Sequence, residues 1–280
     1  MPAVSLIPRQ PAVPLLTVDE LKRSPIYTQL QKLVPGGSAA DNDAELLRII
    51  MRVSAMINGE CRQNMAATVD TDAGWVAVSE RGELRLHTRA TPIVEVLSVS
   101  VGSDPSNLSP LTDLSGLVVG PWRITIPGSQ WSACRGSRLW AEWTYVNGFP
   151  VTTLVSAVAA GDTSMTVADS LGVVAGKTQL MVQDGKWLES VVPTVVSGNV
   201  LTVPPLSFAH QPGVGVNALP DDIQEAALIL ISRLHNTWSL SMGAVTHDGT
   251  GARKNPAAPG IGTRFLCDPG VILEPYKRVW

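Results

Sequence analysis

Two segments of this chain carry the three-four spacing of a buried helical stripe, and they stand on either side of a long run of β-forming sequence. In residues 42–62 the stripe is Leu46, Ile49, Ile50, Val53, Met56 and Ile57, with Arg48, Arg52 and Glu60 mostly off it. In residues 220–240 it is Ile223, Ala226, Ala227, Leu230, Ile231 and Leu234. Helices placed before and after consecutive strands, rather than alternating with them, describe an α+β fold.

The helix ends are also written in the sequence. Thr17 followed by Glu20 is a capping box for a helix over 17–33, which Pro25 must interrupt because its ring excludes a mid-helix hydrogen bond. Pro35-Gly36-Gly37-Ser38 reads as a loop, and Asn42 with Glu45 as a second box-like cap. Pro220 suits a first helical position, and Asp221 and Asp222 complement the positive end of the helix dipole. Leu228 and Ile229 widen the apolar surface of this last helix around the cylinder. Such a helix needs cover on more than one side, from a core or from a neighbouring subunit.

Between the helices, five candidate strands fall at 75–79, 83–87, 93–101, 122–127 and 138–146, with a turn at Arg81-Gly82. Residues 151–218 read as a second β unit. Its candidate strands are 154–158, 164–167, 179–182, 187–192 and 200–203, with turns at Asp184-Gly185 and Ser197-Gly198-Asn199. So many short strands predict a small barrel or sandwich.

Charged residues make up 16% of the chain, against roughly 25% in ordinary soluble proteins. Much of the exterior is therefore expected to be covered, for instance by copies of the same chain. The net charge of −3 sets up no chain-wide field that recruits nucleic acid. No stretch approaches the roughly 18 apolar residues of a membrane helix. Pro8, Pro11 and Pro14 break up the start of the chain, which does not read as a signal peptide but as an extended arm, free or docked on a neighbour. Cys61, Cys134 and Cys267 lie far apart and in odd number, which points to reduced thiols in a cytosolic setting.

A search for chemistry finds little. Gly172-Val-Val-Ala-Gly176-Lys177-Thr178 imitates a phosphate-binding loop but has three residues between its glycines where four are needed, and β-formers follow it instead of a helix. It is read as a turn. His87, His210, His235 and His247 form no ligand pair and are read as isolated polar or core residues. The acid pairs Asp19/Glu20 and Asp221/Asp222 are explained by helix dipoles. No catalytic, cofactor-binding or metal-binding residue is assigned.

The order of segments is more telling. The capped helix at 17–33, the helix at 42–62 leading to Asn64-Met-Ala-Ala-Thr-Val, and the β segments precede Leu219-Pro-Asp-Asp-Ile-Gln-Glu-Ala-Ala and a tail ending in Pro275-Tyr-Lys-Arg. This resembles the head-to-tail adaptor (connector) proteins of long-tailed double-stranded DNA bacteriophages. The stretches 157–167 and 205–214 resemble a β module inserted in some members, notably from phages of actinobacteria. The resemblance implies a helical adaptor core with β-strand segments and an inserted small β-barrel or sandwich domain. It implies a non-enzymatic virion protein, assembled in the host cytoplasm. Twelve copies would form a ring between the portal and the stopper or tail-completion protein, with genomic DNA passing through and no cofactor.

On this reading the chain divides into a Pro-rich arm (1–16), a helical core followed by β segments (17–150), the inserted β domain (151–218), a core helix (219–242), and a mobile Gly/Pro-rich loop with a docking tail (243–280). Leu228, Ile229, Leu273, Tyr276, Lys277, Arg278 and Trp280 are the expected interface residues, because aromatics and arginine anchor interfaces. Pro269 and Pro275 predict that the tail is extended, and it can dock on a partner or fold back on its own core. Two rival readings remain at this level. One is a carbohydrate-binding virion or surface protein built on the β unit, the other a hydrolase with a dispersed carboxylate pair.

Overall fold

The computed structural model of the chain describes residues 13–31, 33–128, 131, 134–185, 187–243 and 268–277. The Pro-rich arm up to residue 12, the loop expected from 244 onwards, and Arg278 and Trp280 lie outside the described residues.

The first helical segment is split as Pro25 requires, into α1 (Val18–Arg23) and α2 (Tyr27–Leu30). Thr17 Oγ1 accepts the Glu20 N–H at 3.1 Å, and Glu20 Oε2 accepts the Thr17 N–H at 2.5 Å, so the capping box closes. Helix α3 (Ala39–Cys61) starts earlier than expected. Its N-cap is Ser38, paired reciprocally with Asp41, and not Asn42. Asn42 sits in the next turn, where its buried amide accepts from Leu33 N at 3.0 Å and donates to the Leu30 carbonyl at 3.4 Å. It fastens the loop before α3 instead of opening the helix. Arg62 ends α3 in the left-handed conformation, φ 57°.

Helix α4 (Asp221–Gly243) packs on α3. Leu46, Ile50 and Ile57 of α3 share one core with Ile223, Ala227 and Ile231 of α4. Met56, which its spacing places in the buried stripe, is 42% exposed because it falls on the stripe's margin. The tail is not extended. Residues Pro269–Ile272 form a short helix, α5, and Glu274–Tyr276 a 3-10 turn. Both prolines stand in first turns, where no N–H is required, and Asp268 caps α5 by accepting the Gly270 N–H at 3.0 Å.

The first β unit contains β1 (Thr68–Ala77), β2 (Leu84–His87), β3 (Ile93–Gly102), β4 (Leu108–Pro110), β5 (Val118–Val119), β6 (Arg123–Ile126) and β7 (Arg138–Asn147). The five expected strands are present, and β1 begins well before Trp75. The strands form two antiparallel sheets, ordered β1-β7-β3-β4 and β2-β6-β5. Alternation in β7 buries Leu139, Ala141, Trp143 and Tyr145, which share a core with Leu84, Leu86 and Ile124.

The second β unit contains β8 (Val151–Thr153), β9 (Ser164–Thr166), β10 (Leu180–Asp184), β11 (Trp187–Val191), β12 (Val195–Ser197), β13 (Val200–Thr202) and β14 (Gly215–Asn217). Its sheets, β11-β10-β14-β8 and β12-β13-β9, bury one common cluster that includes Met165, Val182, Leu201 and Val216. Neither sheet closes into a barrel. The strand expected at 154–158 is replaced by isolated bridges from Leu154 to Val167 and from Val158 to His210. Pairing of β8 with β14, Val151 opposite Asn217, brings the two ends of the unit side by side. Helix α1 docks here. Arg23 Nη1 donates to the Gln183 carbonyl at 2.7 Å, and Asn217 Nδ2 to Glu20 Oε1 at 3.2 Å. Gly215 allows that approach, since a Cβ there would stand 2.6 Å from Glu20 Oε1.

Candidate assembly surface

The tail residues singled out from sequence converge on the junction of α3, α4 and the β units. Leu273 is 1% exposed and belongs to the helical core. Tyr276 is half-buried. Its ring meets Phe149 edge-on with centroids 6.3 Å apart, and its hydroxyl lies 2.8 Å from both carboxylate oxygens of Asp222 in the first turn of α4. Gln63, just past α3, donates to the Tyr276 carbonyl at 3.1 Å. Burial and the neighbouring Asp222 carboxylate push the Tyr276 phenol well above its ordinary range. Lys277 Nζ bonds Glu60 Oε1 at 2.7 Å and Glu274 Oε2 at 2.9 Å, and these bonds raise its pKa. In this chain, then, residues 268–277 clamp the C-terminal end of α3 to the N-terminal end of α4.

Leu228 and Ile229 are both half-buried, but differently placed. Leu228 packs against the helical core, whereas Ile229 is not part of it. The outer side of α4 is completed by Asp221 and Glu225, both exposed. On α3 the side away from the core carries Ala44, Leu47, Arg48, Met51 and Ala55, with Leu47 43% exposed and the rest half-buried or exposed. Among the described residues, nothing covers these sides of the two long helices.

The polar clusters elsewhere are built as structural fasteners. His210 is fully buried, with Nε2 3.1 Å from Glu189 Oε2 and Nδ1 3.7 Å from Asp184 Oδ2. Glu189 also accepts the Ser207 N–H, and Asp184 the Gln211 N–H. Burial alone would raise the Glu189 pKa, but the bonds from Ser207, His210 and Phe208 more than offset it and hold the carboxyl below its ordinary value. These contacts pin the 207–211 segment to the β10–β11 hairpin, and Phe208 stacks on Trp187 at 4.3 Å. In the first β unit, buried Asp72 takes bonds from Arg89 and from the Tyr145 hydroxyl at 2.9 Å. The phosphate-loop imitation is a turn: Thr178 Oγ1 accepts the Val174 N–H at 2.8 Å, and strand β10 follows. Cys61 is buried and its thiol is pushed up to about 11, mainly by desolvation, which leaves it a poor nucleophile at neutral pH. Among the described residues no group of three potential ligands could hold a metal ion, and no helix is long and apolar enough to cross a membrane.

No known family profile matches the chain. No curated protein matches it. Among solved structures, it is similar to a chain in the neck of an empty gene transfer agent particle computed with C6 symmetry, at 14% identity and a TM-score of 0.41, over 95% of this chain and 90% of that one. It is also similar to a chain in the virion of the native gene transfer agent, at 14% identity and a TM-score of 0.35, over 93% and 92% of the two chains.

Several residues that organise the surface carry no local signal in the sequence. Gln63, Glu60, Asp222 and Phe149 become partners of the tail only because the chain returns after the described part of α4. Asp222, which its position marks as a dipole acid, also serves as the acceptor for Tyr276. The outward residues of α3 and α4 are within reach of sequence reasoning, since they are what the helical period leaves once the buried stripe is assigned.

Proposed function

We propose that this chain is a structural subunit of a virion neck, a head-to-tail connector that forms a closed ring through which double-stranded DNA passes. One observation carries the reading. The two stretches that most resemble the adaptor family, Pro220-Asp-Asp-Ile and the final Leu-x-Pro-Tyr-x-Arg of residues 273–278, are far apart in sequence, yet their described residues meet. Leu273 enters the core that Leu219 and Ile223 share, and Tyr276 bonds Asp222. Their likeness to the family is therefore a likeness of one compact unit and not of two unrelated fragments. The low charge content, and the helix sides that no other described residue covers, agree with a subunit covered by its neighbours. The proposed partners are further copies of the chain, a portal on one side and a stopper or tail-completion protein on the other. In this role the protein binds no cofactor and catalyses no reaction.

The test is to mix the purified chain with its cognate portal oligomer and follow co-sedimentation. A complex with a fixed ratio of chain to portal supports the reading. Full-length chain that stays apart from portal at micromolar concentration overturns it.

A further inference from the structure

The sheet β2-β6-β5 turns one face to the core of the first β unit, through Leu84, Leu86, Ile124 and Ile126, and the other face outwards. In the register of β2 and β6, Arg85 stands opposite Thr125 and His87 opposite Arg123, so alternation puts all four on the outward face. Arg85, His87 and Arg123 are exposed, as are Trp122 beside Arg123 and Arg89 two residues past β2. The three strands themselves contain no acid. Two acids lie close by, and each is the more covered partner of its pair. Glu83, which bonds Arg85 at 3.2 Å, is 25% exposed against 52% for the arginine, and Asp72, which bonds Arg89, is 5% exposed against 53%. Among the described residues no acid is paired with His87 or Arg123. This face therefore shows basic side chains to solvent, although the chain as a whole carries a net charge of −3.

From this charge distribution we infer that the outward face of β2 and β6 lines the DNA channel and meets the phosphate backbone of the duplex. The planar fork of an arginine matches two phosphate oxygens, and His87 adds a ring nitrogen beside Arg123. Apart from Trp122 and, at the margin on β5, Val118, the face offers charge and the Thr125 hydroxyl but no apolar centre. A seated protein partner needs such a centre, whereas a polyanion in transit does not. Contacts of this kind carry no base sequence, as passage of a whole genome requires. The inference rests on the ring reading above and names the face that the ring turns to its cargo.

Duplex binding by the full-length chain tests it, read by fluorescence anisotropy of a labelled duplex between about 50 and 200 mM salt. Wild-type affinity should fall steeply with salt. Arg85→Ala and Arg123→Ala should each flatten the slope of log affinity against log salt by about one, equally for duplexes of different sequence. The double variant should bind about tenfold more weakly at the low-salt end. Both positions are exposed and a surface pair such as Arg85–Glu83 contributes little, so the melting temperature should stay unchanged. That separates a binding defect from a folding defect. If wild type joins portal but does not bind duplex, or the double variant keeps the wild-type affinity and slope, this face does not meet DNA and the ring reading stands. The same holds if the double variant loses portal and keeps duplex, since the face then meets an acidic protein. If duplex binding depends on the two arginines but the chain stays apart from portal, the DNA contact stands and the ring reading fails.

Discussion

Tyr276 ties the last described turn of the chain to the start of α4 through one hydroxyl and one carboxylate. Replacing it with phenylalanine keeps the edge-on contact with Phe149 and removes the bonds to Asp222. A hydrogen bond to a charged group contributes about 1.5–3 kcal/mol when well shielded. Tyr276 is only half-buried, so Tyr276→Phe should lower stability by about 1–2 kcal/mol at neutral pH, measured by urea denaturation. The pH dependence has a definite sign. The folded pKa lies above the ordinary value of 10.0, so the unfolded chain releases the phenol proton first. The stabilisation is therefore complete below pH 10 and is lost as the pH rises further. Phenylalanine has no proton to lose, so the gap between wild type and variant should narrow above pH 10. A gap that widens there would contradict the assignment. At this scale the sequence is only partly legible. Tyr276 and Leu273 stand out as residue types that anchor packing, but their partners come from distant parts of the chain.

Helices α3 and α4 are readable as elements because their buried stripes, Leu46 to Ile57 and Ile223 to Ile231, follow the helical period. Their ends are less so. Asn42 and Glu45 have the spacing of a cap, but Ser38 and Asp41 have a comparable one four residues earlier, and packing of the preceding loop against Asn42 decides between them. Ser38→Ala removes the hydroxyl that caps the Asp41 N–H and should cost about 1 kcal/mol in thermal unfolding. Asn42→Ala should cost more, because it empties a buried site and leaves the part-buried Leu33 N–H and the Leu30 carbonyl without their partner. If Ser38→Ala proves the more harmful of the two, the cap matters more than the loop fastener and this ranking fails. Among the strands of the first unit, the long ones show in the sequence and the shortest do not. Strands β4 and β5 have three and two residues, too few to show alternation. They exist because β3 and β6 offer them an edge. The tail helix escapes the sequence pattern for a different reason. Proline breaks a helix interior but fits a first turn, and only the fold shows which position Pro269 takes.

At the scale of the whole molecule, three hydrophobic clusters divide the described residues. One is helical, one lies within residues 76–145 and one within residues 154–218. The last is built entirely from residues of its own unit, and its ends are paired as neighbours in β8 and β14. We therefore expect that replacing residues 151–218 with a short Gly-Ser linker leaves a folded helical body, seen as a retained helical signal in circular dichroism. That replacement breaks the bonds from Arg23 to Gln183 and from Asn217 to Glu20, and it removes the cover that Gly215 gives Glu20. Burial holds the Glu20 carboxyl above its ordinary pKa, so uncovering it relieves part of the cost. An insoluble remainder without helical signal would mean that the unit is integral to the fold. The sequence shows this unit's β character. It does not show that the unit stays as two open sheets, since closure depends on which edges meet.

Most depends on the claim that the helical body is a ring subunit. The measurement that addresses it directly is the mass of single particles formed by the purified full-length chain across a range of concentrations. A ring subunit should give one discrete, closed oligomer of many copies that yields monomer on dilution, with a central opening when imaged. A chain that remains monomeric at every concentration, or that grows into open filaments of no fixed mass, would contradict the claim.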